Sequence, residues 1–122
     1  MRDIAITLLF AAALAAAPST VTAAPSTSQG QVSVTQVMEM LDKAPAERTA
    51  QQVLTAYLAG VGETAAAMVR LGSTVCRAPL GLSTATVRQA IRGAAAGADA
   101  GETAATPLII RDMLDRADCR PS

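Results

Sequence analysis

The sequence predicts an all-α fold: a small four-helix domain with one disulfide. Apolar residues recur at the helical period in four separate segments, each bounded by capping or breaking residues. No run of alternating β-branched residues, no Asn-Gly hairpin signal and no long internal repeat interrupts them. The only two cysteines, Cys76 and Cys119, form an even pair that closes in an oxidising compartment. Such a bridge would contribute about 3–4 kcal/mol in the chain-entropy picture.

Export is read from the first residues. Ile4 to Ala17 is an apolar run of 14 residues, broken only by Thr7, behind Arg2, shorter than the roughly 20 that a bilayer-spanning helix needs. Pro18 and a small, polar stretch follow it, and Val21-Thr22-Ala23 has the small residues that signal peptidase reads. Residues 1–23 are therefore expected to be a signal peptide, with an uncleaved anchor as the alternative. The expected location is the periplasm, without membrane association after cleavage. No cysteine follows the apolar run, so lipid attachment there is not expected.

The segment 24–32 is rich in Ser, Pro, Gly and Gln, lacks periodicity, and is expected to be a disordered leader. A single helical domain is expected over 33–122. Ser33-Val34-Thr35-Gln36 has the form of a capping box, and Val34, Val37, Met38 and Leu41 follow on one face, predicting a first helix from about Val34 to Lys43. After Pro45, the residues Val53, Leu54, Tyr57, Leu58, Val61, Ala65, Met68 and Val69 trace a long second helix that Gly72 stops. Gly60 and Gly62 lie inside it and predict a kink or a close helix approach.

Cys76 to Gly81 reads as a loop. Ser83 can cap a third helix, with Leu82 stapled onto Val87, and its inner face is Val87, Ala90, Ile91, Ala94 and Ala95. Gly97 and Gly101 end it, and Gly93 to Gly101 reads as a flexible connector. The last helix starts between Thr103 and Pro107 and carries Leu108, Ile109, Ile110, Met113, Leu114 and Ala117, with Cys119 just beyond it. A core of Ala, Val, Leu and Met buries less area per residue than an aromatic one, so the disulfide, and a homodimer interface where one forms, weigh more in stability.

Composition narrows the function. Ten basic and ten acidic residues cancel, and aromatics are only 2% of the chain, so neither a phosphate footprint nor base-stacking platforms are present and no nucleic-acid partner is expected. There is no His, which removes the usual general base and the commonest metal ligand. No enzyme activity, catalytic residue, metal or cofactor is expected. Asp112, Asp115 and Asp118 recur every three residues, but Arg111, Arg116 and Arg120 interleave with them as on a solvated helix face. Arg70, Arg77, Arg88 and Arg92 gather around the Cys76 loop in sequence and are candidate partner-binding residues, because the guanidinium fork makes directed hydrogen bonds.

Three segments together carry a family resemblance: Tyr57-Leu58-Ala59-Gly60-Val61-Gly62-Glu63, then Cys76-Arg77-Ala78-Pro79-Leu80-Gly81-Leu82-Ser83, then a terminal helix running into Cys119. The constellation, spanning about Val34 to Cys119, resembles the Tai/Rap family of type VI secretion amidase immunity proteins. A second cysteine pair usual in that family is missing, with Lys43 or Ala44 and Leu54 in its places. The resemblance implies a small exported helical protein, often dimeric, whose protein partner is a peptidoglycan amidase effector that it blocks at the active-site cleft.

The loop Arg77 to Gly81 is then the expected inhibitory element, with Arg77 and Leu80 foremost and Arg70, Arg88 and Arg92 secondary. The alternative is an acid-stress periplasmic chaperone of the HdeA-like kind. Nine acidic and nine basic side chains follow Ala23, so protonation of the carboxylates near about pH 2–3 would leave nine uncompensated positive charges. A periplasmic interaction module without an effector partner is the third reading.

Overall fold

The computed structural model describes residues 26–121. The expected signal peptide, 1–23, lies outside the described residues. Four helices make up most of the described residues: α1 (Val34–Lys43), α2 (Arg48–Leu71), α3 (Thr84–Ala95) and α4 (Ala105–Arg116). α1 and α4 each pack against both α2 and α3, closing a four-helix ring around one core. Val34, Val37, Val87, Ile91 and Ile109 are fully buried there, and Met113 is nearly so.

The fold is mostly α rather than all-α. Two three-residue strands, β1 (Thr74–Cys76) and β2 (Cys119–Pro121), pair antiparallel with Thr74 opposite Pro121 and Cys76 opposite Cys119. Strands this short carry no alternation that a sequence pattern can register. The Cys76–Cys119 disulfide sits within the ladder, joining directly opposed residues.

α1 has the bounds that its periodicity predicts. The Ser33 side chain accepts from the Gln36 amide at 3.0 Å, but the return half of the capping box is not made, and Gln36 Oε1 is buried without a hydrogen-bond partner. The full box is at α3, where the Ser83 amide donates to Thr86 Oγ1 at 2.9 Å and the Thr86 amide donates to Ser83 Oγ at 3.2 Å. Leu82 and Val87 both join the core, as a staple requires.

α2 starts earlier than its apolar face suggests, at Arg48, with no side-chain cap. Good helix formers carry the polar first turns, and only Leu54, Val61 and Ala65 along its length are buried. Gly60 and Gly62 mark no close approach, since a Cβ at either meets nothing within 4 Å. Gly72 caps the helix because a Cβ there would lie 2.9 Å from the Met68 carbonyl, while the left-handed residue is Ser73, at φ 50°. Asp118 repeats this turn after α4, at φ 49°.

The leader also differs from expectation, because 26–32 is ordered. Thr27 is buried, its amide donates to Gln31 O at 2.9 Å, and its hydroxyl accepts from the Gln31 amide at 3.1 Å, with Gly30 at φ 76° making the turn. Ser33 then pairs with Ala104 in an isolated antiparallel bridge, through Val34 N to Thr103 O and Ala105 N to Val32 O, both 2.9 Å. The hydroxyls and glycine that make this segment look disordered are consumed by its own turn and by the start of α4. The glycine-rich connector is tied down as well, since Ala100 O accepts from Thr35 N at 3.3 Å and Asp99 O from Thr103 Oγ1 at 2.9 Å.

Open space at the two mid-helix glycines makes a stability prediction. Gly60→Ala and Gly62→Ala should each raise the urea unfolding free energy by up to about 1 kcal/mol, whereas Gly72→Ala should lower it.

Candidate functional site

The segment from Cys76 to Ser83 is held at both ends. At its start, the disulfide fixes Cys76, and the amides of Arg77 and Ala78 both donate to Ala117 O, at 2.9 and 3.1 Å. At its end, Arg116 Nη2 donates to Gly81 O at 2.8 Å while Arg116 Nε holds Asp112 Oδ2 at 2.7 Å. The Ser83 box follows immediately. The C-terminal turn of α4 thus serves as the anchor for the whole loop.

Between these anchors the chain exposes Arg77, Ala78 and Pro79 and turns Leu80 and Leu82 back onto the core. The Arg77 side chain is 79% exposed, with Nε 3.3 Å from Asp118 Oδ2. Arg120 Nε reaches the other oxygen of Asp118 at 3.0 Å, so one carboxylate orients two guanidinium groups at the loop's entrance. These ion pairs are open to solvent, where their worth is orientation more than stability.

The other predicted partner-binding residues do not join the loop in one patch. Arg70 is exposed on α2, at one end of a shallow depression that Glu63, Thr64 and Ala67 also line. Arg88 Nη1 is bound to Asp42 Oδ1 at 3.0 Å, where it ties α3 to α1. Arg92 is exposed in the last turn of α3. Arg116 escaped the sequence reading: its spacing from Asp112 is visible there, but its reach to Gly81, 35 positions away, is not.

A second feature is an apolar groove of about 730 Å³ between α4, the end of α2 and the leader. Val32, Met68, Pro107, Ile110 and Leu114 line it, together with Arg111 and Asp115. At the start of α4 the Tyr57 and Thr106 hydroxyls lie 2.7 Å apart in a shared hydrogen bond. Burial pushes the Tyr57 phenol above its usual range, and the bond to Thr106 partly offsets this.

Two carboxylates elsewhere serve as ties. Both Glu102 oxygens accept from the Ser28 amide, at 3.2 and 3.0 Å, and Oε2 also accepts from Ser28 Oγ at 2.7 Å. These bonds favour the charged form and hold the carboxyl below its usual range. Lys43 is raised by its bond to Glu39. Among the described residues, no three His, Cys, Asp or Glu side chains come together as a metal site. No described helix is long and apolar enough to cross a membrane.

Comparison of the chain with protein-family models, curated proteins and solved structures finds no match.

The clasp predicts its own pH dependence. Because the folded Glu102 carboxyl is more acidic than in an unfolded chain, its contribution is present above the unfolded value and is lost as pH falls through the lowered folded value. Hydrogen exchange at the Ser28 amide should be slow at neutral pH and accelerate, beyond the intrinsic trend, only below the ordinary carboxylate range. Glu102→Gln should abolish that acid-triggered step.

Proposed function

We propose that this chain is an exported, non-catalytic binding protein that presses the loop Arg77–Gly81 into the cleft of a protein partner. The observation that carries this reading is the loop's double anchorage, through the Cys76–Cys119 bridge and Ala117 O at one end and the Arg116 contact with Gly81 O at the other. A loop ordered before the encounter loses little conformational entropy on binding, so its contacts translate into affinity. Its exposed Arg77 offers directed hydrogen bonds, and Pro79 adds a stiff apolar edge. The Tai/Rap resemblance of this same loop makes a peptidoglycan amidase effector the proposed partner, met in the periplasm.

A second reading, the acid-stress chaperone, is favoured by the way carboxylates tie separate elements: Asp42 to Arg88, Asp118 to Arg77 and Glu102 to Ser28. Protonation in acid removes the negative charge on which each of these ties depends and leaves Arg77 and Arg88 as uncompensated cations.

The two readings part in one experiment. The oxidised protein is titrated into a panel of peptidoglycan amidases at neutral pH while peptidoglycan hydrolysis is followed. Stoichiometric inhibition of a member is expected, with Arg77→Glu weakening it on the order of tenfold or more and leaving the melting temperature unchanged. Leu80→Ala should lower both affinity and stability, since Leu80 packs on the core. No inhibition across the panel, together with suppression of client aggregation only in acid, would overturn the inhibitor reading in favour of the chaperone.

A further inference from the structure

The corner after α4 brings together two arginines that the sequence keeps far apart. Asp118, at φ 49°, places its carboxylate with Oδ2 3.3 Å from Arg77 Nε and Oδ1 3.0 Å from Arg120 Nε. A carboxylate that meets each guanidinium at Nε leaves the terminal Nη groups of both for another acceptor. Among the described residues, these Nη groups make no hydrogen bond. The two arginine side chains are 79% and 74% exposed, and Asp118 is 37% exposed. The carboxylate is thus the inner member of the cluster, and the guanidinium forks are the outer ones.

The strand pair gives this cluster a face. Val75 lies directly opposite Arg120 in the ladder, so the two side chains project from the same side. Val75 is itself well exposed. Arg77 follows β1 and opens the anchored loop, so the forks stand at the loop's entrance. Among the described residues no second acid pairs with either arginine: Asp112 is bound to Arg116, and Asp115 lines the groove.

We infer that Arg77, Arg120 and Val75 form a clamp for carboxylate side chains of the protein partner, so that the recognition surface runs from the loop onto the strand pair. A guanidinium with its Nη edge open takes a carboxylate in a bidentate pair. Val75 adds an apolar flank that shields the pair from water. The charge count selects this ligand. Two arginines beside one aspartate leave a single net positive charge, whereas anionic membrane surfaces are held by clusters of roughly four to eight basic residues. The surface that fits is a protein cleft with acidic side chains on its rim. The identity of that protein rests on the inhibitor reading above, while the clamp rests on these side chains alone.

The test follows the arginine Nε–H resonances of the oxidised protein, expressed from its full sequence, by NMR during titration with poly-L-glutamate at neutral pH and low salt. Arg77 and Arg120 should shift together and saturate ahead of Arg48, Arg70, Arg92 and Arg111, which are exposed but share no carboxylate with a second arginine. Arg120→Lys keeps the charge and loses the fork, and should raise the dissociation constant on the order of threefold or more with the melting temperature unchanged. Equal shifts at all the exposed arginines, or an Arg120→Lys variant that binds like wild type, would overturn the clamp in favour of diffuse charge. A response to phosphatidylglycerol vesicles and none to poly-L-glutamate would overturn it in favour of a membrane.

The clamp and the inhibitor reading fail separately. An amidase inhibited equally well by wild type and by Arg120→Ala would remove the clamp and keep the loop. Saturable binding of poly-L-glutamate at Arg77 and Arg120, with no amidase inhibited, would keep the clamp and remove the inhibitor.

Discussion

The geometry of this protein depends on the joining of two helix ends. α2 and α4 both finish with a residue in the left-handed region, Ser73 and Asp118, that turns the chain directly into a three-residue strand. The strands pair, and the Cys76–Cys119 bridge crosses the ladder. Each corner alone is a short turn followed by too few hydrogen bonds to persist in water. Closed on each other and cross-linked, they hold the C-termini of α2 and α4 together. The loop then starts from a fixed point, and the groove between the same two helices has a fixed wall.

That constraint matters because the core is modest. α2 runs for 24 residues but fully buries only Leu54, Val61 and Ala65, two large side chains at about 1.5–3 kcal/mol each and a methyl group. A helix of this length with so little buried area depends on ties at its ends. The strand pair supplies one at its C-terminal end, and the shared hydrogen bond of Tyr57 with Thr106 ties the middle of the helix to the start of α4. The leader does the same for α4, bridging Ser33 to Ala104 and clasping Glu102. A domain with few aromatic side chains is thus assembled from a small apolar centre and several polar ties placed where helices begin and end.

Much of this architecture was legible in the sequence, and the reasons follow element by element. α1 was legible because Ser33, its apolar stripe and Pro45 are local signals acting within one turn of what they control. The α3 start at Ser83 and the Cys76–Cys119 bridge were legible for the same reason or by simple parity. What was not legible depends on residues far apart in the chain. Arg116 meets Gly81, Ser28 meets Glu102, and β1 meets β2 only after the helices have packed. The leader shows the limit well: its composition reads as disorder, whereas its own Thr27–Gln31 turn and its distant partners at Glu102 and Ala104 order it. Gly60 and Gly62 show the converse, a pattern that suggests a close approach where the structure has open space. Of the candidate site, the loop was visible as a Cys-to-Gly segment opening a capped helix, whereas its second anchor and the apolar groove were not.

The charged residues sort by distance along the chain, and this links the two surfaces. Pairs that are close in sequence and acid-first, Asp112 with Arg116 and Glu39 with Lys43, satisfy themselves on their own helix. Arg116 then has a free nitrogen with which to grip Gly81, so a local pair becomes the foundation of a long-range tie. Pairs distant in sequence, Asp42 with Arg88 and Asp118 with Arg77, fix one element on another. Arg111 and Asp115 fit neither group: near in sequence, wrongly ordered for a helix, and beside an apolar groove. One face of α4 therefore spends its charges inward to hold the loop, while the face one residue away keeps its charges unspent. One helix thus fixes the Cys76–Ser83 loop through Arg116, and one residue away the same helix leaves Arg111 and Asp115 exposed beside the groove.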